Sequence, residues 1–553
     1  MQKHRWLLQP LLTICVIIAG VSVVAGTLRR KPAIENITKS PKVYREIAPT
    51  TERVNEATRK LAVARGLSIA ARADNLVIAR RLSLALVGSG LSLEELRAFS
   101  AVPEDQQIAW WTDYLLSDPR WADYFAERFA RAFVGTNDGP FLLFRRRKFN
   151  AWLSEQFREG RRYDAIAADM LSAEGLWTDT PQVNFITATM DGVEENRCDP
   201  ILLAGRVSRA MLAQRIDCLQ CHDDFLGTVE LGNPDSPTPG MQEHFHSLAA
   251  FFSGTSLPDA VLQGIREDGR EYKAELLGDT EPRVITPNVP FDNPPLPVEG
   301  RPRERLAAWV THPDNLAFSR ATVNRVWALM FSRPLVEPVD NIPAFAPVPE
   351  ALDILAKDFS GQGFDLRRLI RTIALSDPFQ RSSRAEFQII PEHEDAWAVF
   401  PITQLRPEQI SGSILQACKL TAINESSSII TRLQAFGESR DFLRRFGDRG
   451  EDEFDSDAVT ISQRLLLMNG NTIAERTKDD LVNNASSRIS ALVGDDEKAV
   501  ESAFLATLNR SPSSEELACY VEYLAGKKNK SRSAAMGDIY WAILNSTEFS
   551  WNH

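Results

Sequence analysis

The sequence predicts a mainly α protein: two helical domains joined by a Pro-rich extended connector, behind an N-terminal membrane anchor or signal helix. Three observations carry this reading. Apolar residues recur every three or four positions on both sides of residues 281–302. That stretch holds seven prolines (Pro282, Pro287, Pro290, Pro294, Pro295, Pro297 and Pro302), too many for a helix interior. Near the N-terminus an apolar run extends from Trp6 to Leu28, uncharged from Leu11 onward.

Each element follows in order. Residues 1–31 read as a signal anchor or signal peptide, because Lys3 and Arg5 precede a run that nearly spans a hydrocarbon core of about 30 Å. Val23-Val24-Ala25 permits cleavage before Gly26, and Arg29-Arg30-Lys31 close the run with positive charge on both flanks. Residues 32–60 are polar, carry Pro32, Pro41 and Pro49, and read as a tether. Residues 61–280 form the first helical domain. Leu82, Leu86, Leu93 and Leu96 carry its period, as does the aromatic stretch from Trp110 to Phe133. Val102-Pro103 and Asp118-Pro119 mark helix starts. Residues 281–302 are the connector, with Arg283 to Thr286 the best strand candidate. Residues 303–553 return to a helical period: Val323, Val326, Trp327 and Met330, then Leu366, Leu369, Ile370, Ile373 and Ala374. Ser511-Pro512 reads as the start of a helix carrying Leu517, Val521 and Leu524.

Composition excludes some functions. The 553 residues carry 63 Lys and Arg against 74 Asp and Glu, a net charge of −11. No nucleic-acid partner is expected of so acidic a chain, because such binding needs a basic face. Six cysteines are too few for a disulfide scaffold. Hydrolase and nucleotide-binding motifs (G-x-S-x-G, H-E-x-x-H, a Walker loop) are missing, so the chain is not assigned to an enzyme class, although a haem-dependent oxidoreductase stays open.

The stretch that carries chemistry is Cys218-Leu219-Gln220-Cys221-His222, a C-x-x-C-H. In c-type cytochromes the two thiols form thioethers with haem and the histidine becomes an axial iron ligand. The expected cofactor is therefore covalent haem c on Cys218 and Cys221, with His222 on the iron. An export signal agrees, since haem c is attached outside the cytoplasm. A structural disulfide between the two cysteines and a zinc site are the bland alternatives. For the second axial position, residues 241–246 offer His246, then His244 and Met241, beyond a Gly/Pro-rich loop and before an apolar helix at 247–252. A five-coordinate iron is the other outcome.

Weaker signals complete the survey. Arg145-Arg146-Arg147-Lys148 with Arg158, Arg161 and Arg162 makes a basic cluster, either a solvated helix face or a site for an anionic polysaccharide or surface. Asp448, Glu451, Asp452, Glu453, Asp455 and Asp457 form an acidic loop without calcium-loop spacing. Cys198, Cys418 and Cys519 read as buried thiols, with a bridge between two of them left open.

These pieces resemble a known pair of domains. RLSLALVGSGLSLEEL (81–96), CLQCHD (218–223) and FHSLAAFF (245–252) are similar to the planctomycete cytochrome-like domain, a family of unknown function. ATVNRVW (321–327), LVEPVD (335–340), FDLRRLIRTIALS (364–376), LLLMNG (465–470) and WAILNSTEFSWNH (541–553) resemble its usual C-terminal partner, a planctomycete-specific domain also of unknown function. The resemblance implies an exported, haem-c-like protein from bacteria that degrade complex, often sulfated polysaccharides. Two departures stand out. Asp224 occupies a position where many relatives carry histidine, and residues 451–456 replace a Cys-rich stretch.

The leading expectation is thus an envelope protein, periplasm-facing, anchored by its first helix or released after cleavage near Ala25. It carries one haem c for electron transfer or redox chemistry with a redox partner in the envelope. The alternatives are a non-haem envelope binding or scaffold protein, and a haem enzyme with an open iron site.

Overall fold

A computed structural model describes residues 41–136, 144, 146–190, 197–257, 264–447, 454 and 461–553. The expected signal segment, Arg145 and the acidic residues between 448 and 457, Glu451 among them, lie outside the described residues. Helix takes up 59% of the described residues and strand 6%, so the protein is mainly α. Among these residues no helix is long and apolar enough to cross a membrane.

The expected tether is a correction. From Pro41 the chain is helical as far as Ala64 (α1). The segment is polar on most of its surface, but Ile47, Val54 and Ala62 are fully buried. Ala62 packs with Ala396 and Ala398, and the helix lies against α11 (Glu350–Gly361) and α12 (Leu366–Ala374). Thr50 donates to Asp358 at 2.7 Å, and Asn55 accepts from the Asp377 amide at 2.7 Å. Tertiary partners, not intrinsic helix propensity, hold this element.

Pro41–His553 is one compact unit. Its centre is α10 (Leu316–Phe331), whose Val323, Val326, Trp327 and Met330 are fully buried, as their period predicts. It packs on α2 (Asn75–Val87) from the first half of the chain and on α11 and α12 from the second. Also in the first half, α3 (Gln107–Ser117) leads into α4 (Pro119–Val134), which Asp118 caps with Pro119 at its first position. A run of aromatic residues, Trp121, Phe125, Phe129 and Phe133, stacks along α4 and against α5 (Arg146–Glu159), and Phe129 also meets Tyr163 at the start of α6 (Tyr163–Ser172).

Two buried polar clusters tie the halves together. On α2, Arg81 donates to the carbonyls of Phe379, Arg381 and His553 at 3.1, 2.6 and 2.9 Å and lies over the Phe400 ring. Burial pushes its guanidinium down to about 9. Glu408, on α13 (Pro407–Ala417), accepts from Arg128 of α4 at 3.0 Å and from Arg406 at 2.9 Å. Burial works to raise the pKa of Glu408, but Arg128, Arg406 and Arg131 outweigh it and hold the carboxyl at about 2.

The connector is a packed strap. Val289, Phe291 and Pro294 are buried, and Trp309 of α9 (Pro302–Val310) donates to the Pro294 carbonyl at 2.8 Å. Among the described residues, four two-stranded antiparallel ribbons decorate the helices: β1–β2 (Glu230–Asn233, Ser236–Pro239), β3–β4 (Thr255–Ser256, Arg266–Glu267), β5–β6 (Tyr272–Ala274, Arg283–Ile285) and β7–β8 (Thr403–Gln404, Trp551–Asn552). The strand candidate at Arg283 falls on β6. Near the C-terminus the helix expected at Ser511 starts instead at Ser514. Ser513 is its cap and Glu516 completes a capping box, so two polar residues outcompete the Ser-Pro signal.

Candidate functional site

The C-x-x-C-H lies on an exposed turn held from below. Asp199 caps α7 (Pro200–Arg206) by accepting from the Ile201 and Leu202 amides. After a π-helical stretch to Met211 the chain breaks at Ala213, which has a positive φ of 50°. The break is stitched to the second half of the chain. Ile342 N donates to Ala213 O at 2.8 Å, Gln214 donates to Ile342 O at 2.7 Å, and Arg215 pairs with Asp340 at 2.7 Å. One side chain beneath the turn is also ionic, Arg209 to Asp217 at 2.8 Å.

Residues Asp217–Gln220 then form a single 3-10 turn, capped by Cys221. With about three residues per turn, positions i and i+3 fall on the same side of such a turn. Cys218 and Cys221 are therefore exposed together as free thiols, while Leu219 between them is fully buried. The packing under Leu219 is close. A Cβ on Gly240 would lie 2.8 Å from Leu219 Cδ1 and 3.0 Å from Val229 Cγ1, so a larger residue there would have to push the Leu219 side chain aside.

His222 is exposed, and its Nδ1 lies 2.7 Å from the Asp223 carbonyl. A carbonyl only accepts, so Nδ1 carries the proton and Nε2 of the neutral ring holds a bare lone pair. A metal-ligating histidine is commonly set in this way, its other nitrogen donating to a carbonyl or carboxylate. Beside it the His222 and Phe225 rings stack, and Phe225 and Leu226 are 77% and 87% exposed.

The two following aspartates fasten the turn. Asp223 accepts from the Gln242 amide at 2.8 Å, at the start of α8 (Gln242–Ala249). Asp224 accepts from the Val229 amide at 2.6 Å and the Leu226 amide at 3.1 Å, bonds that hold its carboxyl below the usual range. After them, β1 and β2 return the chain to Gly240. The expected Gly/Pro-rich loop is thus an ordered ribbon.

The three residues proposed for the second axial position differ sharply. Met241 is 49% exposed at the N-cap of α8. His244 is half-buried and accepts the Met241 amide on Nδ1 at 3.0 Å, which leaves the proton on Nε2. His246 is buried. Its Nε2 donates to the Gln220 carbonyl at 3.2 Å, and its Nδ1 accepts from the Tyr272 hydroxyl at 2.8 Å. Burial lowers the pKa of both histidines, while burial and Asp199 push Tyr272 up to about 12. Among the described residues no group of three His, Cys, Asp or Glu could hold a metal ion. Iron in haem needs no such group, because the porphyrin supplies four ligands.

Other singled-out residues fall elsewhere. Cys198 and Cys418 are buried free thiols whose pKa burial raises to about 12; Cys519 is exposed, against expectation. Much of the basic cluster is paired with carboxylates: Arg146 with Glu127, Arg158 with Asp123 and Glu425, Arg161 with Asp169, Arg162 with Asp164. Arg147 and Lys148 are exposed.

Residues 53–256, which hold the turn and α8, match the family model PSCyt2, described as a protein of unknown function (DUF1549). Residues 302–434 match PSD1, a protein of unknown function (DUF1553). The chain carries these two domains in that order. No curated protein and no solved structure matches it. Tyr272, which holds His246, lies between the two matched regions, and sequence reasoning missed it. So too were Gln220, Gln242 and Gly240, whose roles arise only from the packing of the turn.

Proposed function

We propose that this chain is an exported c-type haem protein of the cell envelope that serves electron transfer or redox chemistry. In this reading Cys218 and Cys221 would hold the haem by thioether bonds, and His222 would provide an axial nitrogen. The observation that carries the reading is the state of His222: exposed beside two exposed thiols, with its proton tied up on Nδ1 and its Nε2 lone pair free. The exposed faces of Phe225 and Leu226 supply apolar surface for a porphyrin to cover. When bound, haem would supply a one-electron couple whose potential depends on axial ligand and burial.

The chain's own part is to present and orient. Asp223 and Asp224 fix the turn from its far side, Leu219 plugs it into the core, and the Asp223 carbonyl sets the His222 tautomer. Of the residues named for the second axial position, His246 and His244 both carry their proton on Nε2, so neither offers that nitrogen as it stands. The thioether sulfur of Met241 is the least committed of the three. A five-coordinate iron with an open face is the other arrangement, and it would favour an oxidoreductase over simple electron transfer.

The N-terminal segment would place the protein on the periplasmic side, anchored or released after Ala25, with a redox partner in the envelope. Haem staining after denaturing electrophoresis tests the reading, on protein matured in an export-competent host with haem-attachment machinery. A stained band that disappears in a Cys218→Ser, Cys221→Ser double variant supports it. No band from wild-type protein overturns it.

A further inference from the structure

We infer that His246 is a positioning residue for the turn that carries Cys218, Cys221 and His222, and not an iron ligand. As a statement about haem attachment this rests on the reading above; as a statement about the turn it stands on the hydrogen bonds alone. The Gln220 carbonyl belongs to the peptide group whose nitrogen is that of Cys221. Because that group is planar, holding the oxygen fixes the amide plane from which the second thiol projects. Two donors converge on this oxygen: His246 Nε2 at 3.2 Å and Gln242 Nε2 at 3.3 Å. Both come from α8, which Asp223 in turn caps at 2.8 Å. The turn and the helix therefore fasten each other.

The ring suits the task because it bonds in two directions at once. Nδ1 accepts from Tyr272 on β5 at 2.8 Å, and the two rings lie nearly parallel. The Gln220 carbonyl, which only accepts, selects the tautomer with the proton on Nε2, and Nδ1 is then the acceptor that Tyr272 meets. For Nε2 to bind iron, the ring would have to move its proton to Nδ1, abandon Gln220 and reverse its bond with Tyr272. Burial of the side chain leaves little solvent to replace the Gln220 bond.

The test uses full-length wild type, His246→Ala and His246→Gln, since the glutamine amide keeps an N–H donor near the Nε2 position. Hydrogen exchange at the amides of residues 219–222 is read on haem-free protein, and the ferric spin state on haem-loaded protein. His246→Ala should lose three- to tenfold of its local protection, the worth of one such bond. His246→Gln should recover most of it, and both variants should keep the wild-type spin state. Unchanged protection in His246→Ala overturns the inference, as does conversion of a low-spin wild type to high-spin in either variant. Should wild type take up no haem, the haem reading fails while the exchange measurement still decides the role of His246.

Discussion

Leu219→Ala should loosen the C-x-x-C-H turn without unfolding the protein. Leu219 is fully buried between two exposed cysteines, and Gly240 packs closely on its side chain. Truncating a buried leucine costs about 2–5 kcal/mol, from lost transfer energy plus the cavity left behind. Here the side chain hangs from an exposed turn, which can open alone, so the cost should appear locally rather than as global unfolding. With about 1.4 kcal/mol per tenfold, a cost near 3 kcal/mol raises the open population about 100-fold. The amides to watch are Leu219, bonded to the Ile216 carbonyl at 3.0 Å, and Cys221, bonded to the Cys218 carbonyl at 3.2 Å. Their exchange should accelerate by about two orders of magnitude, while amides in α10 stay as in wild type. Acceleration below about threefold at residues 219–221 would refute the claim that Leu219 is the plug. Equal acceleration in α10 would refute the claim that the turn opens alone.

Other perturbations have defined outcomes. Arg81→Met leaves the Phe379, Arg381 and His553 carbonyls without their donor, so the C-terminal residues around β8 should become sensitive to carboxypeptidase, with a stability loss of about 3 kcal/mol or more. Glu408 has a folded pKa held below its unfolded value, so its stabilisation is complete above about 4.5 and disappears as pH falls toward about 2. Wild type should therefore exceed Glu408→Gln in melting temperature at pH 7, and the gap should close as pH falls from 4.5 to 2; a gap independent of pH contradicts the ion-pair account. A ferrous spectrum that changes on adding carbon monoxide marks an open or readily displaced axial position, and an unchanged one marks a firmly held second ligand. Met241→Ala should produce the change only if Met241 is that ligand.

The sequence made the helices legible wherever a buried face runs for several turns. In α10 and α12 the apolar period coincides with burial residue by residue, and Asp118-Pro119 opens α4 as its chemistry demands. The helix α1 was not legible. Its PKVYREIAPTTERVNEATRKLAVA is polar with an internal proline, and its few apolar positions are buried by α11, α12 and the Ala396–Ala398 stretch, some 300 residues away in sequence. The connector failed in the opposite sense. Its prolines rule out helix correctly, but nothing in them announces that Trp309 and Phe291 bury part of it. For the site, the spacing of Cys218, Cys221 and His222 is written in the chain, and so is the nearby histidine pair. The protonation of each ring is not, because it depends on which group faces each nitrogen. For His246 those groups are the Gln220 carbonyl and the Tyr272 hydroxyl, each 26 positions away in sequence.

The central claim is one covalent haem on the turn at Cys218–His222, and its most direct measurement is a pyridine haemochrome assay. Full-length protein matured with haem-attachment machinery would be assayed, with mass spectrometry of the peptide spanning residues 218–222. The account predicts one haem per chain, a spectrum typical of two thioether bonds, and a peptide that carries the haem on Cys218 and Cys221. A peptide without haem, whose two cysteines are free or joined to each other as a disulfide, would contradict it.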